Sequence, residues 1–324
     1  MPCGPFTIGM GRTLTHGSLF AGIGGFDLGF ERQGFKTVWC IENDPRCQRL
    51  LTAKFPDAQI FGDVRKVGAD QLARVDVITY GFPCQDVSVL GLRAGLDGGK
   101  RSNLFYEATR IIGELRPTIA VGENVTGLLS ADNGQAMCNV AQALSQVGHR
   151  DLSWRTINAR SFGFVQSRRR VFIVSTDSDP HGDTATRCSF RVLHQFGNPT
   201  ASAPPPPPKQ NSRVAASDAL EGEDFVVVSH ATPGLTAYRW EDFPTIVCHG
   251  WYLFLADKKA QTCRYFTPLE YEKLQGFPPG WTDGFPKTIR YRMIGNSVVP
   301  AVAEYVARGC RRVLEGDEQV AFVA

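Results

Sequence analysis

The chain has 324 residues, of which 43% are hydrophobic and 21% charged, with a formal net charge of +3. Such proportions exclude a disordered or fibrous chain and leave room for one large domain plus a smaller one. So weak a charge neither demands nor excludes nucleic acid, because a local basic stripe matters more than a total.

The opening MPCGPFTIGMGR lacks the basic start, apolar run and small-residue cleavage site of a signal peptide. No run approaches the ~20 apolar residues needed to span a bilayer, so no membrane association is expected. Nine scattered cysteines in a chain this long fit free thiols in a reducing cytoplasm better than a disulfide framework. Cys248, His249 and Cys263 have no paired C-x-x-C, and no metal is expected.

In chain order, short apolar runs alternate with helix-like segments. The runs are Ser18–Ala21, Thr37–Ile41, Val75–Tyr80, Thr118–Val121 and Arg170–Ser175. Asp44-Pro45 reads as an N-cap with proline at the first helical position, opening a helix towards Lys54. Ser102 is placed to cap a helix whose Leu104, Phe105, Ala108, Ile111, Ile112 and Leu115 share one face. This alternation predicts an α/β, doubly wound domain with a mainly parallel sheet.

After Asp177 the alternation stops, and Pro204 to Pro208 form an unbroken proline run. Phe225–Val228 and Thr245–Val247 read as short strands, among the aromatics Tyr238, Trp240, Trp251, Tyr252 and Phe254. A small, irregular, partly β domain is expected there. Thr267-Pro268-Leu269-Glu270 is a capping box that opens a helix ending at Gly276. A last helix is expected from Pro300 to about Leu314.

Chemistry gathers at the strand ends. Phe20-Ala21-Gly22-Ile23-Gly24-Gly25 makes a glycine turn between strand and helix, where a cofactor can approach the backbone. Asp27 stands where a dinucleotide fingerprint has its third glycine, which disfavours a dinucleotide. Glu42 ends the second strand and can accept from ribose hydroxyls; Asp63, after Ile60-Phe61-Gly62, can accept from an adenine amino group. No P-loop lysine appears. The trio therefore suggests an adenosine-containing ligand without a phosphate requirement.

Gly81-Phe82-Pro83-Cys84-Gln85 follows the strand Val75–Tyr80, placing a thiol at the catalytic edge of the sheet. A nucleophile must be the thiolate, which nearby arginines favour. Glu123-Asn124-Val125 delivers a carboxylate to the same edge, suited to sharing a proton with a ring nitrogen. Gln166-Ser167-Arg168-Arg169-Arg170 enters the next strand, and strand alternation would put Arg168 and Arg170 on one face. Guanidinium forks there suit phosphate or a base carbonyl.

Nine blocks occur in order: SLFAGIGGFDLGF, the Glu42 strand end, GDV, GFPCQDVS, RSNLF, GENVTGLLS, QSRRRVFIV, RYFTPLEYEKLQGFP and IGNSVVP. In these the chain resembles the bacterial and phage DNA cytosine-5 methyltransferases, from about Leu14 to Leu314. The resemblance implies a catalytic domain over 1–176, a target-recognition domain over 177–287 and a segment, 288–324, returning to the catalytic domain. It implies that Phe20, Gly22, Ile23, Gly24, Glu42, Asp63, Val64, Leu104, Asn296 and Val298 surround S-adenosyl-L-methionine. Cys84 becomes the nucleophile, Glu123 engages the cytosine ring nitrogen, and Arg168 and Arg170 contact the extruded nucleotide. Pro83, Gln85, Ser88, Arg168 and Thr245 are the expected DNA contacts.

The implied partner is double-stranded DNA, with a cognate restriction endonuclease acting separately where one exists. One chain carries every expected part, so a monomer in a bacterial or phage-infected cytoplasm is expected. Two departures stand out: Asn43 replaces a frequent aromatic after Glu42, and Val165 replaces a frequent proline before Gln166. Three alternatives have distinguishing marks. A transfer RNA methyltransferase of the same chemistry carries Cys-Phe-Thr, which is missing here. An inert DNA-binding homologue is opposed by the intact Pro83-Cys84-Gln85, and a dehydrogenase by Asp27.

Overall fold

A computed structural model describes residues 12–82, 104–177, 188–193, 225–229, 236–238, 243–248, 253–257 and 262–316. Its compact units are two. One comprises Met1–Ile157, Arg169–Asn198 and Val302–Ala324, the other Asn158–Arg168 and Pro199–Ala301.

In the larger unit β1 (Thr15–Leu19), α1 (Gly25–Arg32), β2 (Lys36–Ile41), α2 (Pro45–Lys54) and β3 (Gln59–Phe61) alternate. They are followed by β4 (Val77–Tyr80), α3 (Leu104–Leu115), β5 (Ile119–Val125), α4 (Gln135–Gln146), β6 (Asp151–Asn158), β7 (Arg169–Thr176) and α5 (Cys188–Leu193). The seven strands form one sheet in the order β3-β2-β1-β4-β5-β7-β6. The pairs β1–β2, β1–β4, β2–β3 and β4–β5 are parallel. By contrast, β5 and β7 run antiparallel.

Central strands buried on both faces need continuous apolar runs. Val77, Ile78 and Tyr80 of β4 and Ile119, Ala120 and Val121 of β5 are accordingly fully buried. Phe105, Ala108, Ile111 and Ile112 present the buried stripe of α3 to this core. Asp44 caps α2 as the sequence suggested, its carboxylate accepting from the Arg46 N–H, with Pro45 at the first helical position. The expected Ser102 cap lies outside the described residues. β1 ends at Leu19 rather than Ala21, because Phe20 turns out of the strand at φ 56°.

β6 was not foreseen: DLSWRTIN lies at the end of the sheet, and its half-exposed Trp154 spoils any clean alternation. The buried face of α4, carried by Ala136, Met137, Val140, Ala143 and Leu144, does follow helical spacing and could have been read.

The smaller unit holds a four-stranded antiparallel sheet of β8 (Phe225–Ser229), β9 (Thr236–Tyr238), β10 (Leu253–Asp257) and β11 (Thr262–Tyr265). Their order is β11-β10-β8-β9. Thr245–Val247 is not a strand. The Ile246 N–H and carbonyl are taken by the side chains of Gln166 and Arg168 instead of a ladder. Two helices follow, α6 (Pro268–Gln275) and α7 (Lys287–Asn296), and a third, α8 (Pro300–Leu314), runs on into the larger unit. Thr267 and Glu270 cap α6 reciprocally, and Gly276 ends it at φ 86°.

The limits of the smaller unit differ from those drawn on the sequence. Asn158–Arg168 joins it because the Ser167 N–H donates to the Phe243 carbonyl and the Gln166 amide to the Leu274 carbonyl. Residues 288–301 stay with it because α7 is held to α6. Tyr291 meets Tyr271 edge-on with ring centroids 4.9 Å apart, and Arg290 pairs with Glu272 at 2.9 Å.

Glu272 is fully buried. Burial pushes its carboxyl up, but donors from Thr282, Arg290 and Gly280 outweigh that and hold it below the usual range. One carboxylate thus organises the loop between α6 and α7. Breaking a buried charge pair from one side costs about 3–5 kcal/mol. Glu272→Gln should lower unfolding free energy by that order in urea titration; an unchanged midpoint would show that the loop is organised otherwise.

Candidate active site

The turn after β1 is built from left-handed backbone: Phe20 at φ 56°, Gly22 at 58° and Gly24, the N-cap of α1, at 83°. A side chain at Gly22 would meet nothing within 4 Å, so its glycine serves the backbone angle and open space lies in front of it. The Gly22 N–H donates to Glu42 Oε2 at 2.8 Å, and the Asp44 N–H to Oε1 at 2.8 Å. Glu42 therefore ties the glycine turn to the start of α2. Each of its oxygens keeps a lone pair beyond these bonds.

Asp63 follows β3 and caps a short 3-10 turn, Val64–Lys66. Arg65 grips its two oxygens, Nε to Oδ1 at 2.8 Å and Nη2 to Oδ2 at 2.5 Å, which holds the carboxyl below its ordinary range. An adenine amino group would have to share Asp63 with this arginine. Ile23 and Val64 are buried, while Phe20 and Leu104 are half-buried.

A second cluster forms where β5 meets β7. Glu123 lies opposite Phe172, and Val125 opposite Arg170. The diagonal neighbour across an antiparallel pair shares a face. Arg170 Nε accordingly reaches Glu123 Oε1 at 3.2 Å. The Glu123 side chain is only 13% exposed. Beside it, buried Asn124 donates its amide to the Phe82 carbonyl at 3.1 Å and accepts from the Val125 N–H at 2.8 Å. Phe82 is itself clamped between Tyr80 and Phe105, at centroid distances of 5.9 and 4.8 Å. Pro83, Cys84, Gln85 and Ser88, which follow Phe82 in the sequence, lie outside the described residues. Asn124 was missed as a separate actor, although an amide directly after a strand-end carboxylate was visible in the sequence.

The model of the C-5 cytosine-specific DNA methylases matches residues 14–221 and 228–312. The chain belongs to this family. Its enzyme class is that of the DNA (cytosine-5-)-methyltransferases. The Type II methyltransferase M.Bsp6I of Bacillus sp. (strain RFL6) is 29% identical over 317 residues, covering 90% of this chain and 96% of its own. The Type II methyltransferase M2.BsuMI of Bacillus subtilis (strain 168) is 30% identical over 315 residues, 89% of this chain and 73% of its own. Among solved structures, S. pombe Dnmt2 methyltransferase aligns with TM-score 0.61 at 19% identity, over 90% of this chain and 96% of its own. At that identity the likeness concerns the fold alone.

The remaining candidate residues of the methyltransferase lie in the smaller unit. Arg168 precedes β7, so strand alternation does not apply to it, and it does not share a face with Arg170 in the way the sequence suggested. It is 4% exposed, with Nη1 donating to the Ile246 carbonyl and Nη2 to the Ser297 carbonyl. Thr245 gives its hydroxyl proton to the Ser167 carbonyl. Asn296 is exposed and Val298 half-buried, on either side of buried Ser297. Among the described residues no group of three or more His, Cys, Asp or Glu could hold a metal, and no helix is long and apolar enough to cross a membrane.

Asp27 points into the core. It takes the Cys40 thiol at 3.3 Å and lies 3.7 Å from His16 Nδ1, both carboxylate and imidazole being fully buried. His16 in turn meets Thr79 Oγ1 at 2.9 Å and stacks on Phe30. Burial pushes Asp27 up from 3.8 to about 7 and His16 down from 6.5 to about 3. The raised carboxyl contributes stability below its ordinary value, lost as pH climbs through about 7. The lowered imidazole acts oppositely, destabilising below its ordinary value and gaining stability as pH rises from about 3. Between about pH 4 and 6 the two slopes offset each other. Asp27→Asn removes one and leaves the other, so the variant's urea midpoint should rise more steeply across that interval than the parent's. Parallel pH profiles would refute this account of the pair.

Proposed function

We propose that the methyltransferase moves the methyl group of S-adenosyl-L-methionine onto carbon 5 of a cytosine extruded from double-stranded DNA, through a covalent bond to Cys84. The observation that carries this reading is the Glu123–Arg170 pair bridging β5 and β7, next to Asn124, whose amide holds the carbonyl of Phe82, two residues before Cys84 in the sequence.

Carbon 5 of cytosine is a poor nucleophile while the ring is aromatic. Addition of the Cys84 thiolate to carbon 6 forms a sulfur–carbon bond and shifts the 5,6 electron pair onto carbon 5. Glu123, steadied by Arg170, holds a proton at ring nitrogen 3 and so accommodates the charge that addition creates. When bound, S-adenosyl-L-methionine would supply an electrophilic methyl group, which carbon 5 takes up as the sulfur–methyl bond breaks, its electron pair stays on sulfur and S-adenosylhomocysteine is left. Loss of the carbon 5 proton to a base then restores the double bond and expels the thiolate. The base must leave the stack first, at about a few kcal/mol, because stacking hides carbon 6 from any side chain.

The open space before Gly22 and the two lone pairs left on Glu42 support an adenosyl group there. Phe20, Gly22, Ile23, Gly24, Glu42, Asp63, Val64, Leu104, Asn296 and Val298 are the proposed contacts. The proposed setting is a bacterial or phage-infected cytoplasm, where the enzyme acts as a monomer. The Type II names of its relatives favour a separate endonuclease of matching specificity as partner.

A duplex with 5-fluorocytosine at the target cannot lose a proton from carbon 5, so the adduct should persist. With the methyl donor present, the parent chain should run as a denaturation-stable complex with that duplex and Cys84→Ser should not. Glu123→Gln should lower kcat by about 10²–10⁴-fold. A serine variant that methylates at the parent rate would end the proposal.

A further inference from the structure

The smaller unit contains a closed ring of buried hydrogen bonds that the chemistry above leaves unused. Arg168 Nη1 donates to the Ile246 carbonyl at 3.0 Å and Nη2 to the Ser297 carbonyl at 2.9 Å. The Ser297 carbonyl also accepts from Gln275 Nε2 at 2.6 Å. Gln166 Nε2 donates to Gln275 Oε1 at 2.8 Å, and the Ile246 N–H returns to Gln166 Oε1 at 3.3 Å. Gln166 and Gln275 are wholly buried.

An independent contact joins the same two segments. A side chain at Gly295 would come within 2.5 Å of the Val247 carbonyl and 2.6 Å of the Cys248 nitrogen. The last turn of α7 thus lies directly against the main chain of 247–248, and only glycine leaves room for it.

These contacts clamp together two short pieces of chain with different assignments. One is Thr245–Ile246, offered to DNA; the other is Asn296–Val298, offered to the methyl donor. We propose that Arg168 and Gly295 are positioning residues that make these two pieces one rigid element, so that donor occupancy and grip on the duplex reinforce each other. This rests on the DNA contact expected of Thr245 from the family resemblance and on the donor contacts proposed above for Asn296 and Val298.

The physical reason is the burial of the ring. Neither the Ser297 carbonyl nor the Ile246 peptide can shift alone without stranding polar groups away from water. A ligand that settles one end therefore settles the other, and the linkage is equal in both directions. Arg168 acts in this scheme through two carbonyls rather than by touching the nucleotide.

The test is the dissociation constant of S-adenosylhomocysteine for the full chain, measured with and without a duplex carrying the site mapped by bisulfite conversion. In the parent the duplex should tighten binding by about tenfold. In Arg168→Lys, whose single ammonium cannot hold both carbonyls, and in Gly295→Ala, that factor should fall to within about twofold of one. If Arg168→Lys does not fold, Gln275→Met removes one donor from Ser297 and carries the same expectation. A merely structural role would weaken both affinities and keep the factor; folded variants with the parent's factor overturn the proposal, as does a parent factor of one. A parent that binds neither the duplex nor S-adenosylhomocysteine would instead bring down the functional reading itself.

Discussion

The antiparallel run of β7 alongside β5 is the constraint on which the proposed catalytic edge depends. In a purely parallel sheet the start of β7 would lie at the opposite end from the finish of β5. Reversal brings Arg170, near the beginning of one strand, diagonal to Glu123, near the end of the other. A carboxylate delivered to a strand end is usually a solvated group. Here a guanidinium beside it and the low exposure of its side chain make it a poised one. The next residue, Asn124, turns the same strand into a mooring for Phe82, whose carbonyl accepts its amide.

The proposed cofactor edge rests on a different device, a carboxylate used as a strut. Glu42 accepts from the turn after β1 and from the cap of α2, which couples the ends of two adjacent strands before any ligand arrives. In the proposed cofactor site such preorganisation would give a ribose an acceptor already in place. Left-handed angles at Phe20 and Gly22 belong to the same device, because they swing the chain out of the strand and aim the Gly22 N–H at Glu42. Asp27 shows the converse: the acid that breaks a dinucleotide fingerprint serves the core, where His16 and Cys40 engage it.

Arginines two positions apart carry out unlike tasks. Arg170 lies in a strand and meets a carboxylate across the ladder. Arg168 lies before the strand and spends its guanidinium on main-chain carbonyls of sequence-distant segments. Their common motif gave no hint of this division, because a run of three basic residues reads alike whether its members face solvent, phosphate or backbone.

The order of strands and helices through β5, the caps at Asp44 and Thr267, the glycine turn and the strand-end acids are all legible in the sequence. Each is decided by residues within a few positions of one another: apolar period, a proline at a first helical turn, a capping side chain three residues from its target. Pairing partners were not legible. The reversal of β7, the edge position of β6, the loss of strand character at Thr245–Val247 and the retention of 288–301 by the smaller unit all depend on contacts between residues far apart in the chain. Arg168 and Ser297 are 129 positions apart, and Gln166 and Gln275 are 109 apart. Local propensity assigned the pieces; only closure of buried polar groups across such separations decided which pieces hold one another.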